Sequence, residues 1–248
     1  LFADERRRME MRMEKETLRA NLLRTISHDL RTPLTSISGD ADMLLHDEDA
    51  LTAQQKRRLL RDIHDDARWL VTLVENLLSI TRIDNGTMQL AVQPELVGDV
   101  VQEALRHVDR RIADRCVRVD LEDELLMAEM DARLIVQVVI NLVNNAIAYA
   151  PEGSCIAVTA RRAVEDGLPR VRIAVSDEGP GIPDEDRKHI FDMFYNGSTG
   201  KPGGKSGDFK RGMGLGLSLC RSIVEVHGGT LQVRNRKPCG SEFWFTLP

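Results

Sequence analysis

Residues Asp131 to Tyr149 read D-A-R-L-I-V-Q-V-V-I-N-L-V-N-N-A-I-A-Y, and the reading of this stretch decides the second half of the fold. Apolar side chains fill it almost continuously, which predicts a strongly apolar helix that must be covered. Asn141 and Asn145 interrupt it four residues apart, so they share one face. Amide groups are costly in apolar surroundings unless they are bonded or serve a ligand such as a metal or a phosphate. Asparagines that cap a helix or bond internally are the alternative reading.

Outward from this helix the chain alternates between short strands and helices. Met88, Leu90 and Val92 alternate like a strand, and Leu96 to Ile112 reads as a helix. Val117 to Leu121 and Leu126 to Met130 read as short strands. Ser154 to Ala163 and Arg170 to Ser176 form an antiparallel pair around Glu165-Asp166-Gly167. A helix over Met213 to His227 precedes strands at Thr230 to Asn235 and Ser241 to Leu247. The expected architecture is an α+β sandwich, one sheet covered by helices.

Three further clusters in this half carry chemistry. Asp177-Glu-Gly179-Pro-Gly181-Ile-Pro183 follows a strand and predicts a tight turn whose carboxylate can accept from an exocyclic amine. Gly212-Met-Gly214-Leu-Gly216-Leu leads into a helix, where glycines let backbone N–H groups approach a polyphosphate. Phe191-Asp-Met-Phe194-Tyr195 packs just before a polar, glycine-rich stretch over 196–211, long enough to be a lid or a disordered loop.

The first 85 residues follow another grammar, almost free of glycine and rich in helix formers. Residues 4–25 interleave Arg and Glu, as either a plain charged helix face or a coiled-coil entry. Leu18, Leu22, Ile26, Leu30, Ile37, Ala41 and Leu44 recur at helical spacing. Thr52 and Gln55 have capping-box spacing, and Leu59, Ile63, Ala67, Leu70, Leu73, Leu77 and Ile80 mark a second helix ending at Asn85-Gly86. Two such helices bury too little alone, so a four-helix dimer is the natural completion.

On the first helix lies I-S-H-D-L-R-T-P-L, Ile26 to Leu34. His28 sits about 200° around the axis from Ile26 and from Leu30, and so faces solvent. Asp29 can fix the ring tautomer and leave the other nitrogen's lone pair free, as a nucleophile near neutral pH needs. Pro33 cannot donate to the carbonyl of residue 29, which predicts a bend beside His28. Thr32 lies one turn along on the same face.

Composition narrows the rest. At 248 residues and a net charge of −5, the chain has room for two domains and offers no basic stripe for nucleic acid. Its most apolar run, Leu134 to Val143, is broken by Gln137 and Asn141 and falls short of a membrane span. Cys116, Cys155, Cys220 and Cys239 are widely separated and read as free thiols of a reducing cytoplasm. The chain begins at leucine and looks like a fragment of a longer protein.

In this order and spacing the clusters resemble the N box, the two glycine boxes and the F box of sensor histidine kinases, with His28 in the H box. His227-Gly-Gly229 matches the family's step into the last hairpin. The F-D-M-F-Y and G-L-S-L-C-R-S-I wording is similar to potassium-responsive KdpD-type kinases. The resemblance implies an all-α helical hairpin, a four-helix bundle on dimerisation, followed by an α+β sandwich of the Bergerat ATP-binding type. It implies a charged signalling helix over 1–20, a dimerisation and phosphoacceptor domain over 21–86, and an ATP-binding domain over 87–248 with a lid at 196–211.

By the same likeness His28 takes the γ-phosphoryl of ATP, Asp29 orients the ring and acts as base, and Thr32 positions water for phosphatase action. Asn145 ligates Mg²⁺ with Asn141 assisting, Asp177 reads the adenine amine, and Tyr149 lines the base pocket. Gly179, Gly181, Gly212, Gly214 and Gly216 allow close backbone approach. Related Bergerat ATPases carry a water-activating glutamate where Asn141 stands; an amide cannot be that base. Ala148 and Asn196 stand where the family often has basic residues, so Lys201, Lys205, Lys210 or Arg211 would supply that charge. The implied partners are a response-regulator receiver domain and a second copy of the chain. The fragment is expected in the cytoplasm, its parent anchored in the membrane. The rival readings are an ATP hydrolase of the chaperone or topoisomerase type and a non-enzymatic dimeric scaffold.

Overall fold

The computed structural model describes residues 30–46, 50–86, 88–108, 116–195, 197 and 214–248. His28, Asp29, the charged segment over 1–20, the lid cations Lys201, Lys205, Lys210 and Arg211, and Gly212 lie outside them. So does the expected bend beside His28. The chain divides into two compact units, Leu1–Glu75 and Asn76–Pro248.

The first unit holds helix α1 (30–46) and most of helix α2 (Ala53–Asp84). The capping box at the start of α2 is formed: Thr52 N donates to Gln55 Oε1 at 2.9 Å, and Gln55 N to Thr52 Oγ1 at 3.3 Å. At its end Gly86 takes φ +63, the left-handed conformation that stops a helix. Asp40 of α1 lies beside Asp62 and Asp66 of α2, as expected of two helices running antiparallel across a short loop. Burial first, then these two charges, hold the Asp40 carboxyl above its usual range. The α2 stripe is displaced at one position, where Ala67 is exposed and Asp66 half-buried. Large apolar side chains stay open on both helices, including Leu34, Leu45, Leu60 and Val71.

The second unit contains β1 (Gln93–Leu96), α3 (Val97–His107), β2 (Cys116–Leu121), β3 (Met127–Met130) and α4 (Ala132–Tyr149). It continues with β4 (Cys155–Glu165), β5 (Leu168–Ser176), a 3₁₀ turn (Asp186–Lys188), α5 (Gly216–Val226), β6 (Leu231–Asn235) and β7 (Ser241–Leu247). Strands β2-β4-β5-β7-β6 form one mixed sheet, parallel only between β2 and β4, and β1 pairs with β3 in a small second sheet. The expected α+β sandwich is present. Alternate residues of the large sheet point inward and are buried: Ile156, Val158 and Ala160; Ile173 and Val175; Phe243, Phe245 and Leu247. Against them lies α4, burying Ile135, Val138, Val139, Leu142, Val143, Ala146 and Ile147, with α3 and α5 packed on either side.

Several sequence expectations need correction. The strand expected at Met88–Val92 lies instead at Gln93–Leu96, because Ala91 N donates to Asp131 Oδ2 at 3.1 Å rather than to a strand ladder. Helix α3 closes at His107, short of the expected Ile112, and α5 opens at Gly216 because Gly214 takes φ +62. Among the described residues α4 is long and apolar enough to cross a membrane by length and composition; its place as the core helix accounts for that apolarity. Cys116 and Cys155 are not free thiols: they stand opposite each other on β2 and β4, Cα atoms 4.5 Å apart, joined by a disulfide.

Candidate nucleotide site

Strand β5 ends at Ser176 and delivers Asp177, only 4% exposed, to the head of the sheet. Its neighbour across the ladder is the start of β7, so Asp177 N donates to Ser241 O at 2.9 Å. The carboxylate is held by three donors. Oδ1 accepts from Gly179 N at 2.7 Å and Ser241 N at 3.2 Å, and Oδ2 accepts from the Ser241 hydroxyl. A carboxylate offers about four lone-pair positions, so Oδ2 retains one, the acceptor an exocyclic amine needs. Gly240 permits the arrangement: a Cβ there would stand 2.0 Å from Asp177 O, and its φ is +100.

The glycine turn after Asp177 closes on the end of α4. A Cβ at Gly179 would lie 3.0 Å from the backbone oxygen of Tyr149, whose side chain is half open to solvent. Asn235 clamps the far side of the turn through a reciprocal pair, accepting from Ile182 N and donating to Ile182 O, both at 2.8 Å. Asp177, Gly179, Gly181 and Tyr149 therefore meet at one place.

The second glycine segment meets the middle of the same helix. A Cβ at Gly216 would lie 3.9 Å from Asn141 Cγ. Asn141 Oδ1 is 3.4 Å from Gln137 Nε2, while its Nδ2 is buried without a hydrogen-bond partner. Asn145 is half-buried one turn further along that face. At Gly214 a Cβ would clash at 2.5 Å with the backbone of Phe194 and Tyr195, and Phe194 N donates to Gly214 O at 2.9 Å. The N-terminal turn of α5 thus sits beside Asn141, an arrangement suited to a polyphosphate.

Comparison with known proteins gives this geometry a family. Residues 18–86 match the His Kinase A (phospho-acceptor) domain, and residues 130–248 match the histidine kinase-, DNA gyrase B- and HSP90-like ATPase. The catalytic domain of histidine kinase ThkA is 30% identical, with a TM-score of 0.51; the match covers 65% of this chain and 96% of that domain. The chain belongs to the histidine kinases. Sensor protein KdpD of Clostridium acetobutylicum is 38% identical over 248 residues, all of this chain and 27% of that protein. KdpD of Escherichia coli is 34% identical over 241 residues, 96% of this chain and 25% of that protein. This histidine kinase chain thus spans about a quarter of the length of those relatives. A crystal structure of ThkA in complex with the response regulator TrrA superposes with a TM-score of 0.69 at 27% identity, covering 96% of this chain and 64% of that one.

The donor set fits ATP: Asp177 has its free acceptor, and the orphaned Asn141 Nδ2 is an N–H donor, suited to a phosphate oxygen and not to a metal. On the same face Asn145 carries an amide oxygen, the donor type Mg²⁺ takes one or two of before completing its shell with phosphate and water. Among the described residues no cluster of three or more His, Cys, Asp or Glu is placed to hold a metal alone.

Sequence reasoning missed the residues that hold this histidine kinase's site in shape. Ser241 and Asn235 act on the glycine turn across more than fifty residues, and no local signal announces such a partner. Tyr195 donates to Asp186 Oδ1 at 2.7 Å, a bond that raises the phenol's pKa. His227, noted only for its place before two glycines, is buried: Nδ1 donates to Ile223 O at 2.7 Å and Nε2 accepts from Asp131 N at 3.0 Å. Asp131 caps α4 through Arg133 N. Burial opposes its charge, but hydrogen bonds from Ala91 and Arg133 outweigh that and hold the carboxyl below its usual range. Burial pushes the Cys220 thiol up to about 12, which leaves it inert beside α4.

Proposed function

We propose that the chain is the catalytic core of a sensor kinase that phosphorylates its own His28 from Mg-ATP and passes the phosphoryl group to an aspartate of a response-regulator receiver domain. The observation that carries the reading is the Asp177 carboxylate, buried, fixed by three donors, and left with one acceptor position at the mouth of a glycine turn. That position selects a base bearing an exocyclic amine and rejects one bearing a carbonyl there.

Each residue then has a task. Asp177 reads the adenine amine, and Tyr149 covers the base. The backbone at Gly179 and Gly181 gives the base room, while Gly212, Gly214 and Gly216 let N–H groups approach the phosphates. Asn145 holds Mg²⁺ with Asn141 beside it, and Lys205 and Arg211 of a lid over 196–211 supply cationic contacts. A lone pair of the His28 ring forms the bond to the γ-phosphorus as the bond to the ADP oxygen breaks, and Asp29 takes the ring proton. An amide at Asn141 cannot activate water, so ATP waits for His28 instead of being hydrolysed.

The domain plan follows: a charged helix over 1–20, the phosphoacceptor hairpin over 21–86, and the ATP-binding domain over 87–248. The open apolar side chains of α1 and α2 support a homodimer closing as a four-helix bundle. Thr32, exposed on α1, positions water for dephosphorylating the regulator. The fragment works in the cytoplasm and its parent is anchored in the membrane. The ThkA complex with a response regulator supports the choice of partner class.

Incubation with γ-labelled ATP tests the reading. Acid-labile label on the protein, lost in His28→Ala, is expected. Free phosphate without protein label identifies a hydrolase, and neither product identifies a scaffold. Thr32→Ala should keep the label yet slow loss of phosphate from the regulator; equal loss of both activities removes that role from Thr32.

A further inference from the structure

Cys116 is the first residue of β2 and Cys155 the first of β4, and they face each other in register on parallel neighbours. Among the described residues β2 is an edge strand that pairs with β4 alone, and Cys116 is exposed there. The bond spans a sequence separation of 39 residues, and the whole of α4 lies inside the loop it closes. Asn141, Asn145 and Tyr149 are on that helix. The short turn from Tyr149 to Cys155 is the link between the bond and the base end of the site, where Ser154 N and Oγ both bond Pro151 O.

From this placement we infer that Cys116 and Cys155 are a thiol–disulfide exchange site, whose oxidation staples the loop carrying α4 and whose reduction releases it. Two features suit the pair to switching. Cys116 is an exposed residue on an edge strand, and accessible disulfides are the ones that exchange readily. The ladder from Cys116↔Cys155 to Leu121↔Ala160 does not depend on the bond, so the reduced thiols stay side by side and close again.

The chemistry balances with a low-molecular-weight disulfide of the glutathione class as oxidant. The Cys116 thiolate attacks one of its sulfurs, forms a mixed disulfide and expels one thiolate. The Cys155 thiolate then attacks the Cys116 sulfur and expels the second. The protein loses two electrons and two protons, and the oxidant becomes two thiols. A small dithiol reverses the sequence. The other cysteines are internal controls: Cys220 is buried and Cys239 is exposed, both free.

The switch needs no kinase activity to be observed. The whole chain would be equilibrated in glutathione buffers of rising disulfide fraction, alkylated and mapped by mass spectrometry. Hydrogen exchange would be followed over 149–155. The expected result is that Cys116 and Cys155 lose alkylation together in one transition, while Cys220 and Cys239 do not follow it. Exchange over 149–155 should be several-fold faster in the reduced protein. Cys116→Ser should show the fast rate in every buffer. If Cys116 and Cys155 remain alkylatable throughout, stay oxidised in every thiol buffer, or switch without changing exchange over 149–155, the inference is overturned. Should autophosphorylation of His28 fail while the pair switches as described, only the kinase reading is lost.

Discussion

The two units of this chain are stabilised in opposite ways. In the helical unit the apolar stripe is long but largely half-open, and Asp40, Asp62 and Asp66 crowd one side of it. In the nucleotide unit the sheet and α4 are sealed, and buried polar groups such as Asp131, Asp177 and His227 are each hydrogen-bonded. The first depends on what covers it. The second is self-sufficient and spends its buried polar groups on shaping a site.

Reduction of the Cys116–Cys155 disulfide should produce the largest change, confined to the nucleotide unit. A loop closed across a sequence separation of 39 is worth about 4 kcal/mol in the chain-entropy description, so urea unfolding of that unit should shift accordingly. Gly240→Ala comes next. The added Cβ meets Asp177 O and imposes φ +100 on an L-residue, which should cost about 3 kcal/mol and abolish ADP binding together. If ADP binds normally, the carboxylate is not held as described.

His227→Ala strips the Asp131 N–H of its acceptor, at a cost of about 2 kcal/mol in thermal unfolding, with little effect on the helical unit. Acid should act on the same corner. The Asp131 pKa is depressed in the fold, so its contribution is present above the unfolded carboxyl value of about 3.9 and is lost as pH falls through the lower folded value. An acid midpoint unmoved by Asp131→Asn contradicts this.

The helical unit should respond weakly and with the opposite sign. The Asp40 pKa is raised, so its favourable contribution is present below about 3.9 and lost as pH rises through the folded value. Asp40→Asn should therefore stabilise α1 and α2 at pH 7, by well under about 1 kcal/mol, and have no effect at pH 3. The melting midpoint of these helices should also rise with protein concentration, whereas that of the nucleotide unit should not.

The contrast also explains what the sequence made legible. Leu59, Ile63, Leu70 and Leu73 announce α2 by spacing alone, and Gly86 ends it as its residue type requires. The alternation along β4, β5 and β7 and the apolar density of α4 announce the sandwich. Asp177, Asn141, Gly179 and Gly216 stand out because carboxylate, amide and glycine are unusual where they occur, and the fold does bring them to α4. Ser241, Asn235 and His227 do not stand out, since their partners are distant in the chain and only register on the sheet makes them neighbours. Cys116 and Cys155 fall in the same class: 39 residues apart, they are joined by the parallel pairing of β2 with β4. Local pattern reveals elements, and tertiary register reveals partners.

In the proposed reading a nucleotide held at Asp177 phosphorylates His28. Mass mapping of the chain after incubation with ATP and Mg²⁺ decides this, with wild type and Asp177→Asn run side by side. Phosphoryl on His28 is expected in the wild type, with at least a tenfold loss in the variant while its fold stays intact by circular dichroism. Phosphoryl on another residue, or full labelling of His28 without the Asp177 carboxylate, overturns the reading.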